Sequence, residues 1–248
     1  MEFKDHFSGH AALYRDARPL PPVDWFDWLA QQAPDRALAW DAGCGNGQAS
    51  LGLAAHFGRV VATDPSATQI AQAAAHPRID YRVEPAERST LAAGSASLVG
   101  VSQALHWFDL DTFHAEVRRV AKPGALLAIS AYGNCSVSRG VDAVERRLYA
   151  DTLGPDWPPE RALVDAGYRD LPFPFAPVDA PSFMMRADWN FAQFLAYLRS
   201  WSATQRYAKR TGGDAVQAVT PELAAAWGDP EQVRAVRWPF FTRVGRVD

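Results

Sequence analysis

Between residues 37 and 131 the chain alternates two textures of apolar and polar residues. Short, nearly continuous apolar runs have the length of buried strands: ALAWDA (37–42), RVVATD (59–64), IDYRVE (79–84), SLVGVS (97–102) and ALLAISA (125–131). The intervening stretches read as helices. One follows a glycine turn (GQASLGLAAHF, 47–57), one has Ser66 as N-cap and stops at Pro77, and one (DLDTFHAEVRRVA, 109–121) ends at KPG (122–124), where Pro and Gly block continuation. This order predicts an α/β domain, a Rossmann-like, doubly wound, mostly parallel sheet whose ligand sites lie at the carboxyl ends of the strands.

The flanks read differently. Residues 1–36 carry the proline-broken YRDARPLPP (14–22) and an amphipathic VDWFDWLAQQA (23–33), predicting a lid joined to a covering helix. Past 132, the segment LPFPFAPVDAPSF (171–183) precedes one long predicted helix capped by Asn190, with Phe191, Phe194, Leu195, Leu198 and Trp201 at helical spacing and TGG (211–213) at its end. The tail 233–247 reads as a returning strand in which Pro239 favours an edge or a bulge. The expected organisation is one domain over 1–248: lid and helix (1–36), core (37–131) and a helical cap insertion (184–228).

Composition narrows the classes. A net charge of -3 offers no basic face for nucleic acid or an anionic membrane. The apolar runs are strand-sized, and the charged start MEFKDHF does not read as a signal peptide, so a cytoplasmic chain is expected. Cys44 and Cys135, far apart in a chain expected in a reducing compartment, give a disulfide framework no support, and His6 and His10, spaced i, i+4, have no acidic partner or third ligand, so no metal site is expected. The sequence leaves the oligomeric state open.

Candidate chemistry concentrates in WDAGCGNGQA (40–49). A strand ending at Asp41 and passing through Gly43, Gly45 and Gly47 into a helix is a nucleotide-type loop, because glycines admit a ligand to the backbone ahead of a helix N-terminus. Asp64, ending the second strand, is placed to accept hydrogen bonds from ribose hydroxyls. A carboxylate at the loop entrance would repel a pyrophosphate, which disfavours an NAD-dependent oxidoreductase. It suits S-adenosylmethionine, whose amino-acid end carries an ammonium.

On these motifs, together with Y-x-x-x-R-P (Tyr14, Arg18, Pro19), TDPS (63–66), ALHWFD (104–109), RRVAKPG (118–124), YLRSWSA (197–203) and the final RVGR (243–246), the chain resembles the class I S-adenosylmethionine-dependent methyltransferases, within them the trans-aconitate methyltransferase group. The resemblance implies a seven-stranded sheet and small-molecule methylation, with a carboxylic acid as the expected acceptor and a phenol, hydroxyl or amine metabolite as the alternative. It implies that Asp41, Gly43, Gly45 and Gly47 cradle the methionine and ribose side. Asp64 would hold the ribose, with Pro65 and Ser66 beneath the adenine, Ala86 and Glu87 at its edge, and Gln103 and Ala104 near the methyl group. Tyr14 would cover the cofactor. His106 is read as general base or pocket wall, and Arg199 and then Arg18 as partners for a substrate carboxylate. A cofactor-binding module without catalysis is a further class to be separated by product detection.

Overall fold

The computed structural model describes residues 17–248, so Tyr14, His6 and His10 lie outside the described residues. The first elements are α1 (Val23–Gln32), β1 (Leu38–Ala42), α2 (Gln48–Ala54), β2 (Arg59–Asp64), α3 (Ala67–Ala71), β3 (Ile79–Val83), β4 (Ala96–Ser102), α4 (Leu110–Val120) and β5 (Ala121–Tyr132). They are followed by α5 (Arg139–Arg147), α6 (Arg161–Asp165), β6 (Ala176–Pro177), β7 (Phe183–Trp189), α7 (Phe191–Arg199), α8 (Ser202–Thr211), α9 (Ala215–Trp227) and β8 (Arg234–Arg246). The sheet runs β3-β2-β1-β4-β5-β8-β6, with β7 also paired to β8. β1 to β5 are mutually parallel and β8 is antiparallel to β5.

Successive strand residues face opposite sides, so each strand feeds two cores. Trp40, Val61, Val99 and Leu127 join Phe113 and Val117 of α4 on one face. Their sequence neighbours Ala39, Val60, Leu98 and Leu126 join Trp25, Phe26 and Leu29 of α1 and Leu53 of α2 on the other. This explains the continuous apolar runs: strands buried on both sides have no solvent face to alternate with.

The helical cap differs from the expected segment. Residues 184–189 belong to β7, paired with β8 from Phe183↔Phe240 to Trp189↔Arg234. Helix α5 packs instead with α7 and α9 around a second core containing Val141, Phe194, Tyr197, Trp227 and Trp238. The predicted single helix is two. Asn190 and Gln193 form a reciprocal capping box at its start, but the Ser200 hydroxyl donates back to the Tyr197 carbonyl at 2.6 Å and Trp201 turns extended. That break buries the Trp201 ring against Tyr149, Trp157 and Tyr197. Pro239 falls one residue beyond the last β5–β8 pair, where the ladder to β5 gives way to an isolated bridge between Ser136 and Arg237 while pairing with β7 continues. Among the described residues no helix is long and apolar enough to cross a membrane.

Candidate active site

The carboxyl ends of β1, β2, β4 and β5 open into a cavity of about 770 Å³. Its wall includes Asp41 near the end of β1 with Gly43 and Gly45 beyond it, Asp64 ending β2 with Pro65 and Ser66 beyond it, Ala86 and Glu87 after β3, Gln103 and Ala104 after β4, and Tyr132 at the end of β5.

The three loop glycines have three different reasons. Gly45 lines the cavity at φ +55°, and among the described residues a Cβ there would meet only the Gln69 Oε1, 3.9 Å away, so the bare backbone is open to the cavity on that side. Gly43 lines the cavity too, but its Cβ would lie 2.7 Å from that of Ala104, so it is glycine to let the β1 and β4 loops touch. Gly47 does not line the cavity. It caps α2 in the left-handed region, and a side chain there would collide with Tyr81.

Asp64 organises this loop. Its Oδ2 accepts the Gly45 amide and its Oδ1 the Ser66 amide, both at 2.9 Å. Ser66 in turn caps α3 through the Gln69 amide. Glu87 spans to the next loop, where its Oε1 accepts the Asp109 amide at 2.9 Å.

Asp41 is almost wholly buried. Its Oδ2 accepts the Ser50 hydroxyl at 2.5 Å, and its Oδ1 has no hydrogen-bond partner among the described residues. Burial pushes its pKa up to about 6, with repulsion from Asp64 adding and the Ser50 hydrogen bond opposing. A buried carboxylate oxygen with no donor, on a cavity wall, is a site for a cation or a donor ligand.

At the end of β4, Gln103 is forced into the left-handed region at φ 57° and is tied to Tyr132, whose amide donates to its Oε1 at 2.9 Å. His106 Nδ1 lies 2.6 Å from the hydroxyl of Tyr168, which follows α6 and is itself at φ 57°. Burial, with the positive field of Arg161 behind it, brings the His106 pKa down to about 3. His106 is therefore held neutral at ordinary pH.

Two arginines had been expected near a substrate. Arg199 is on the surface, pairing with Asp214 at 3.3 Å, and does not line the cavity. Its helical position pointed off the apolar stripe, and off the stripe means toward solvent here. Arg18 does not line this cavity either; it is part-buried beside it, its Nη1 donating to the Tyr132 hydroxyl at 2.9 Å and its Nη2 to the Ser200 carbonyl at 2.8 Å. The sequence reading missed Tyr132, which the strand-end rule could have supplied, and Arg161 and Tyr168, which no local motif marks.

The profile of the family described as a methyltransferase domain matches residues 40–129. A protein of Dictyostelium discoideum named as a methyltransferase is 30% identical over 230 residues, covering 91% of this chain and 88% of that one. A solved structure from Anaeromyxobacter dehalogenans, described as a type II methyltransferase, is 50% identical with TM-score 0.87, covering 93% of this chain and 98% of its own. The trans-aconitate 2-methyltransferase of Deinococcus radiodurans is 32% identical over 126 residues, 49% of this chain and 47% of that protein.

Proposed function

Because the chain belongs to the methyltransferases, we propose that it moves a methyl group from S-adenosylmethionine to a carboxylate oxygen of a small organic acid. The cavity residues fit that cofactor. The Asp41 Oδ1, with no donor among the described residues, suits the ammonium, the backbone at Gly45 admits close approach, and Asp64, a carboxylate at the end of β2 on the same wall, suits ribose hydroxyls.

When bound, the cofactor supplies a sulfonium-activated methyl, an electrophile that needs no further activation. Transfer to an acceptor carboxylate oxygen would form a C–O bond as the C–S bond breaks to sulfur, leaving a methyl ester and a neutral thioether. The protein's part is then to align the acceptor and keep water out. Pro19 and Pro21 of the N-terminal strip and Met185 and Phe240 of β7 and β8 lie on the cavity wall and supply apolar surface for that purpose.

The observation that carries the acceptor class is His106. A phenol or amine would need a proton removed, and the histidine beside the β4 loop is held at about 3, far below the range of an effective base at neutral pH. A carboxylate arrives ionised and needs none. The likeness to the trans-aconitate 2-methyltransferase supports the same class. The test is transfer of labelled methyl to panels of carboxylic acids, phenols and amines. Base-labile label confined to the acids is expected; activity confined to phenols or amines would refute the assignment.

A further inference from the structure

Beside the main cavity lies a chamber of about 60 Å³, lined among others by Arg18, Gln103, His106, Trp107, Trp157 and Arg161. Gln103, His106 and Trp107 belong to both walls, so the chamber and the cavity meet across the end of β4. The volume is several times the roughly 10–15 Å³ that one water requires, enough for a group of three heavy atoms.

We propose that this chamber is a carboxylate-binding subsite, with Arg161 as its principal cation, and that it selects acceptors carrying a second carboxylate besides the one that is methylated. The inference rests on the carboxylate reading of the reaction.

Arg161 is held in place before any ligand arrives. Its Nε donates to the Tyr149 hydroxyl at 2.9 Å and to Asp165 Oδ1 at 3.0 Å, and its Nη2 to Asn134 Oδ1 at 3.1 Å. The guanidinium lies 5.4 Å from the Tyr149 ring centre and 5.0 Å from that of Trp157. Its side chain is only 16% exposed, and its Nη1 has no acceptor among the described residues. Its acidic partner Asp165 is 43% exposed and therefore a partly screened counter-charge.

Arg18 brings a second guanidinium to the same chamber, with two of its bonds spent on the neutral oxygens of Tyr132 and Ser200. Neutral His106 between them adds no charge of its own. An anion entering beside Arg161 would meet a guanidinium whose charge the half-exposed Asp165 offsets only in part. The main cavity carries the opposite sign near the cofactor loops, where Asp41, Asp64 and Glu87 lie on the wall. The combined site therefore runs from acidic to basic. A cofactor with a cationic head fits one end and an acceptor with an anionic tail fits the other. A carboxylate in the chamber could belong to the acceptor or to the cofactor's methionine, and the experiment must separate the two.

The experiment compares wild type, Arg161→Gln and Arg161→Lys, with Arg199→Gln as a surface-arginine control. Labelled methyl transfer is measured on monocarboxylates (butyrate, benzoate) and on polycarboxylates (succinate, glutarate, tricarballylate), and S-adenosylhomocysteine affinity is measured alongside. Wild type should prefer the polycarboxylates. Arg161→Gln should lower their kcat/KM about 10- to 100-fold, mostly through KM, the scale of a lost charged hydrogen bond, while monocarboxylate rates and S-adenosylhomocysteine affinity stay within about twofold. Arg161→Lys should recover part of the loss. Equal losses on mono- and polycarboxylates, or weakened S-adenosylhomocysteine binding by a folded Arg161→Gln protein, would overturn the subsite and leave the reaction class intact. Should Arg161→Gln fail to fold, the wild-type comparison still decides, since no preference for polycarboxylates rejects the chamber. Failure of wild type to methylate any carboxylic acid rejects the underlying reading instead.

Discussion

Asp41 makes two opposite demands of the protein, and pH separates them. In the folded chain without ligand its pKa is raised from 3.8 to about 6 by burial. Between those values the folded state holds a proton that the unfolded state releases, so this group's contribution to stability falls as pH rises from about 4 to 6 and is flat above. Two pKa units correspond to a penalty of order 3 kcal/mol at neutral pH. Cofactor binding has the other sign, because an ammonium against the unpartnered Oδ1 favours the ionised carboxylate and draws its pKa back toward the ordinary range. At pH 5 only about a tenth of the free protein is then competent, so affinity should fall roughly tenfold from its value at pH 8, about 1.4 kcal/mol. Asp41→Asn keeps the shape and removes the charge. It should raise the melting temperature of the free protein at pH 8, weaken S-adenosylhomocysteine binding by about 1.5–3 kcal/mol, and flatten the pH dependence. Calorimetric titrations of S-adenosylhomocysteine at pH 5, 6, 7 and 8, paired with thermal melts, read both effects. An affinity unchanged between pH 8 and pH 5, or an Asp41→Asn protein that keeps the wild-type pH profile, would refute the placement of the ammonium.

Asp64→Ala should weaken S-adenosylhomocysteine by about 1.5–3 kcal/mol in calorimetry and also loosen the loop, since the Gly45 and Ser66 amides both lose their acceptor. Gly43→Ala should act mainly on folding: at φ +70° and against Ala104, it should lower stability by about 1–3 kcal/mol in urea melts, where an unchanged midpoint would contradict the close approach. His106→Asn should leave kcat on a carboxylic acid within a few fold and flat from pH 6 to 8; a loss above about 100-fold would restore it as a base. Glu145, buried with its pKa raised to about 7, costs stability as pH climbs from 4.5 toward 7, so Glu145→Gln should raise the urea midpoint at pH 8 and leave it little changed at pH 4.

The strand–helix alternation over 37–131 was legible because strands buried on both faces and helices with marked ends leave local signs: unbroken apolar runs, Ser66, KPG. The cavity wall to which the cofactor is assigned here was legible for the same reason. Asp41, Gly43, Gly45 and Asp64 lie at strand ends, and a parallel sheet brings consecutive strand ends together whatever the rest of the chain does. What lay beyond sequence reading was decided by packing between distant segments. Gly47 serves Tyr81 of a neighbouring strand, a contact invisible in GNG. A single helical stripe ran through Trp201, yet burying that ring among Tyr149, Trp157 and Tyr197 was worth more than continuing the helix. Arg199 and Arg161 look alike as arginines on helices. One faces solvent beside Asp214, and the other is clamped by Tyr149, Trp157 and Asn134 beside the cavity. Local sequence sets which residues are polar. Only the docking of α5–α6 and α7–α9 over the sheet settles which of them lose water, and with it whose pKa moves and whose charge a ligand can feel.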